Sequence, residues 1–86
     1  MMQRLLISYE FLGPRRTKAD RNALYAELES LGAVHIQDSV WIVRTEMSIA
    51  YVIAKLRAYF GPTEPFLVAS IDEIKSRQGL NNIPRL

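Results

Sequence analysis

Residues 33–44 read AVHIQDSVWIVR, and their reading decides the fold. Two β-rich runs, Val34–Gln37 and Val40–Arg44, lie on either side of a compact polar turn centred on Gln37-Asp38-Ser39, the pattern of a hairpin. Upstream, RLLISYEF (4–11) is an extended segment. Leu5, Ile7, Tyr9 and Phe11 fall on one of its faces and Leu6, Ser8 and Glu10 on the other. Both faces begin apolar, as expected of a central strand. Gly13–Pro14 ends it. Thr17 is placed to cap a first helix, with Asp20 three positions on as a short capping box. Leu24, Leu28 and Leu31 then follow helical spacing, and Gly32 stands where a left-handed C-terminal residue belongs.

Downstream of the hairpin, a second helix is expected from about Ser48. Ile49, Val52, Ile53, Leu56, Tyr59 and Phe60 form a nearly unbroken apolar stripe at its spacing. GPTEP (61–65) stops it, and FLVASI (66–71) reads as a fourth strand. The more polar remainder, residues 72–86, leaves room for a short extra strand near Ile83. The order is βαββαβ, an α+β ferredoxin-like sandwich: a four-stranded antiparallel sheet with two helices on one face. Right-handed crossovers are expected to put the first strand beside the third and the fourth beside the second. Helices on one side only leave the other to solvent, the tail or a partner. By alternation, Glu10 emerges on that open face.

The chain is a single domain of 86 residues, with a core expected over about 3–71 and a polar tail over 72–86. Hydrophobic residues make up 49% and charged residues 23%, a balance that folds. A domain this small buries a modest fraction of its surface, so self-association is a natural source of stability. No cysteine is present, which removes disulfide frameworks, thiolate zinc sites and cysteine nucleophiles and suits a reducing cytoplasm, the expected location. The N-terminal apolar run is too short for a signal peptide, and no stretch approaches a membrane span. The net charge of +2 says little. Its distribution says more: Arg15, Arg16, Lys18 and Arg21 lie within seven positions, a cluster that either lines a nucleic-acid surface or is solvated charge.

Fold alone names no function. A CxxC metal-transfer domain is excluded by the missing cysteines. An RNA-recognition motif needs aromatic residues on the central strands beside glycine, and SVWIVR offers only Trp41. The four glycines are scattered and build no phosphate-cradling loop.

Ser8-Tyr9-Glu10, the basic loop, a helix ending near LG, and Gln37-Asp38-Ser39-Val40-Trp41 together give a recognisable outline over residues 3–71. The chain resembles the small ferredoxin-like CRISPR-associated adaptation nucleases and is similar to their VapD-type toxin ribonuclease and SinR-like relatives. The resemblance implies a homodimer in which two sheets meet, with first-strand carboxylates facing each other across the two-fold axis. There they would hold Mg²⁺ or Mn²⁺ for phosphodiester cleavage. The matching position here is Glu10, a departure from the family's aspartate: glutamate also binds hard cations, with its carboxylate displaced by one methylene. The family also includes members that bind nucleic acid or scaffold other proteins without cutting.

Several candidate residues carry two readings. Glu10 is either a catalytic metal ligand completed by a second copy, or a rim carboxylate paired with Arg15, Arg16 or Arg44. His35, the sole histidine, suits acid–base work near neutral pH, but a hydrogen-bonded or exposed role on an edge strand fits it better. Trp41 and Tyr9 could stack on bases, yet at strand positions they read as packing residues. Asp38 is a turn residue first and a second metal ligand only distantly. Three functional classes follow from these readings. The first is a homodimer that engages RNA or DNA and cuts RNA through a Glu10-bound metal, with Arg15, Arg16, Lys18 and Arg21 holding phosphates. The second is a non-catalytic dimeric module docking a protein partner on its open sheet face. The third, for which no pocket motif exists, is a regulatory domain binding a metabolite at a dimer interface. None involves a membrane.

Overall fold

The computed structural model describes residues 2–10 and 17–72. It is an α+β fold of the ferredoxin-like kind, with strands β1 (Gln3–Tyr9), β2 (Val34–Gln37), β3 (Val40–Thr45) and β4 (Phe66–Ile71). Helix α1 (Lys18–Ser30) joins β1 to β2. Helix α2 (Ile49–Leu56) joins β3 to β4 and tightens into a 3₁₀ turn at Arg57–Tyr59. Phe11, the loop arginines Arg15 and Arg16, and the extra strand expected near Ile83 lie outside the described residues.

The sheet order is β2-β3-β1-β4, with every neighbouring pair antiparallel. This corrects one expectation. β1 does lie beside β3, but β4 pairs with β1 and not with β2. The hairpin already occupies one edge of β3, and a crossover between parallel strands leaves a slot that β1 fills, so β4 takes the free edge of β1. β2 and β4 are therefore at opposite edges.

Local chemistry fixes the helix ends. The Thr17 hydroxyl accepts from the Asp20 amide at 3.2 Å, and the Asp20 carboxylate accepts from the Thr17 amide at 3.1 Å, completing the capping box. At the other end Gly32 adopts φ +87°, a conformation costly for any residue with a Cβ. Its amide donates to the Glu29 carbonyl at 3.0 Å, and that of Ala33 reaches back to the Leu28 carbonyl at 3.0 Å. This pair of bonds is a Schellman closure. Ser48 caps α2 by accepting from the Tyr51 amide at 3.1 Å. Beyond the 3₁₀ turn, the buried Glu64 carboxylate accepts from the Gly61 amide at 2.6 Å, closing the turn that feeds β4.

The core lies between the helices and one sheet face. Leu5, Ile7, Leu24, Leu28, Val43, Val52 and Leu56 are fully buried there, with Tyr9 and Trp41 beside them. Of the stripe expected on α2, Val52 and Leu56 form its centre, while Ile49, Tyr59 and Phe60 pack at the margin and Ile53 is half-buried outside that cluster. The cross-strand register places Arg4, Leu6 and Ser8 of β1 on the opposite face. They share it with Val40, Ile42 and Arg44 of β3 and with Leu67, Ala69 and Ile71 of β4. No described helix covers this face. Ile42 at its centre is buried, whereas Leu67 is 52% exposed. No described helix is long and apolar enough to cross a membrane.

Candidate functional site

β1 ends at a point where its two faces diverge. Tyr9 turns toward the helices and is buried; Glu10, the next residue, is exposed. The Glu10 amide donates to the Pro65 carbonyl at 3.0 Å, which ties the strand end to the start of β4. Ser8, Tyr9, Glu10, Pro65, Phe66 and Leu67 line a shallow cleft of about 170 Å³ there. Among the described residues, no three histidine, aspartate or glutamate side chains gather in a way that could hold a metal ion.

Arg44 is not the partner of Glu10 within a protomer. It lies opposite Arg4 at the far end of β1, six residues away and roughly 20 Å along the strand. Arg4 and Arg44 are like charges directly opposed on the open face, and the Arg4 guanidinium donates to the Asp72 carbonyl. Of the basic cluster, Lys18 and Arg21 are exposed one turn apart at the start of α1, while Arg15 and Arg16 lie outside the described residues.

On the helix side of the same strand end lies a larger cleft, of about 390 Å³, lined by Tyr9, Arg21, Tyr25, Asp38 and Ser39. α1 presents Arg21 and Tyr25 four residues apart, hence on one helix face. The β2–β3 turn supplies Asp38 and Ser39. Trp41 Nε1–H donates to the Tyr9 hydroxyl at 3.2 Å. Burial pushes the Tyr9 phenol up to about 12; its hydrogen bond with Tyr25 adds to the rise, and the Trp41 bond and the Arg21 charge oppose it. Tyr9 therefore stays protonated and serves as a fixed hydroxyl, not a base.

Behind this cleft the aromatic residues are interlocked. His35 stacks on Trp41 with ring centres 4.3 Å apart and planes 6° from parallel. Tyr25 packs against both in an edge-type arrangement, its ring centre 5.1 Å from that of His35 and 5.3 Å from that of Trp41, with planes 62° apart. The His35 Nε2–H donates to the Asp38 carbonyl at 3.1 Å and so fastens the turn. His35 has the hydrogen-bonded role its edge-strand position implied, and Trp41 and Tyr9 are packing residues in the core cluster. Asp38 is exposed on the turn.

The residue that sequence reasoning missed is Tyr25. Its signal was the spacing to Arg21, which puts a cation and a phenol side by side, but nothing in one helix reveals that Tyr9 and the hairpin turn face them.

Comparison with protein-family models, with curated proteins and with solved structures finds no match for this chain.

Proposed function

We propose that this chain acts as a homodimer that engages nucleic acid and cuts RNA, in the manner of the CRISPR-associated and VapD-like ribonucleases it resembles. The observation that carries the reading is the position of Glu10. It is exposed at the end of β1, beside exposed Leu67 and next to the face no described helix covers. Two copies meeting through that face would bury Leu67 and bring two strand-end carboxylates toward one another. A pair of carboxylates with waters suits a hard divalent cation such as Mg²⁺ or Mn²⁺, whereas one alone does not. The cation would supply a more acidic bound water and stabilise charge on the phosphodiester oxygens. Lys18 and Arg21 on the first turn of α1 supply cations for phosphate contacts.

The test is RNA cleavage with and without Mg²⁺ or Mn²⁺, in wild type and in Glu10→Gln. Metal-dependent turnover lost in the variant, with its melting curve unchanged, is the expected result. Equal cleavage by Glu10→Gln would overturn the assignment. The second reading, a non-catalytic dimeric module, is favoured by the glutamate in place of the family's aspartate and by the apolar exposure of Leu67. It predicts no metal-dependent turnover. Under the first reading, Lys18→Ala/Arg21→Ala also weakens nucleic-acid affinity and flattens its dependence on salt.

A further inference from the structure

The cleft on the helix side of β1 is separate from the proposed metal position, and its lining is specific in character. Tyr9 of β1, Arg21 and Tyr25 of α1, and Asp38 and Ser39 of the β2–β3 turn line it. Its volume of about 390 Å³ falls within the roughly 300–1,000 Å³ typical of small-ligand sites. The lining groups are chemically unlike. Arg21 is a permanent cation with several donors suited to phosphate oxygens, and the Tyr25 and Ser39 hydroxyls can add to them. Asp38 is an acceptor that repels a second phosphate and takes hydrogen bonds from N–H or O–H groups. The half-buried Tyr25, packed against His35 and Trp41, adds an aromatic ring to the lining, a group that suits a base.

A ligand that satisfies all three features carries an anion, a flat aromatic group and hydrogen-bond donors. We infer that this cleft binds a single nucleotide, its phosphate on Arg21, its base against Tyr25, and its ribose hydroxyls or base N–H groups on Asp38. The seat is held in place by its backing: Trp41 fixes the Tyr9 hydroxyl, and His35 fixes the turn that carries Asp38. Inorganic phosphate fills only the Arg21 side and binds more weakly. This inference rests on the nucleic-acid reading given above but not on the metal, because Glu10 does not line the cleft.

Calorimetric titration of the full chain with AMP, GMP and inorganic phosphate tests it. Wild type binds a nucleotide more tightly than phosphate. Arg21→Ala weakens nucleotide binding by about tenfold or more, the scale of one lost charge-assisted contact. Asp38→Asn weakens nucleotide but not phosphate. Lys55→Ala, an exposed charge change on α2 outside the cleft, alters neither. Because Arg21 and Asp38 are exposed, these variants fold, and an unchanged melting curve verifies it. The inference is overturned if nucleotides at millimolar concentration give no binding, if Arg21→Ala binds as wild type does, or if phosphate alone binds as tightly as AMP. A gel shift with single-stranded RNA separates the two failures. RNA bound by a protein that ignores nucleotides sinks the cleft alone; RNA ignored as well sinks the nucleic-acid reading with it.

Discussion

Along β1, successive residues belong to different worlds. Leu5, Ile7 and Tyr9 point to the helices and are buried, the first two completely. Arg4, Leu6 and Ser8 alternate with them on the other face and are half-buried, and Glu10 beyond the strand end is exposed. The first set holds the fold together; the second carries a charged or polar group at most positions, and on the same face Leu67 of β4, opposite Ser8, is left in contact with water. A strand that must do both cannot be optimised for either. The difference assigns stability to the covered face, and each substitution below is a way to break or sharpen that division.

The largest effect belongs to the covered face. Leu28→Ala removes a fully buried side chain from α1 and is expected to lower stability by about 2–5 kcal/mol in urea unfolding, the usual range for leucine truncation in a core. Leu67→Ala on the other face should lower the stability of an isolated protomer far less. Equal losses would erase the distinction.

A smaller effect comes from Tyr9, which belongs to the buried set yet borders both clefts. Its phenol titrates near 12 in the folded chain and near 10 when unfolded. The unfolded state thus loses the proton first as pH rises. The stabilisation is complete below pH 10 and is lost progressively between pH 10 and 12, by about 2 kcal/mol at 1.4 kcal/mol per unit less some solvent relaxation. Denaturant melts across that window should fall more steeply for wild type than for Tyr9→Phe. Parallel curves would mean that Tyr9 is far less buried in solution.

Smaller still is the helix start, which belongs to neither face. Thr17→Ala deletes the hydroxyl half of the capping box and should cost about 1 kcal/mol. A loss as large as that of Leu28→Ala would give the α1 start a share in the core that its exposure denies.

How much of this could be read from the chain follows the range of the interactions. The capping box at Thr17 and Asp20, the left-handed Gly32, the hairpin around Asp38 and the Val52–Leu56 stripe are all settled within a few residues, and sequence pattern locates each. The neighbour of β4 depends on competition among strands more than twenty residues apart. Local periodicity carries no information about that, so the pairing of β4 with β1 had to be seen. The same limit governs the sites. Strand parity leads to the expectation that Glu10 lies on the side away from the helices; the structure shows it exposed just past the strand end. That Arg44 belongs to Arg4 and not to Glu10 is a matter of register, set by six cross-strand pairs at once. The cleft of Tyr9, Arg21, Tyr25, Asp38 and Ser39 draws on three separate elements, and no stretch of sequence announces it.

The central claim is that a second copy covers the face bearing Leu67, and sedimentation equilibrium of wild type beside Leu67→Lys tests it most directly. The account predicts twice the chain mass for wild type at micromolar concentration and the single-chain mass for the variant, with the melting of the protomer unchanged. A monomeric wild type, or a dimer that Leu67→Lys leaves intact, would contradict it, and paired Glu10 carboxylates would then have no interface to form in.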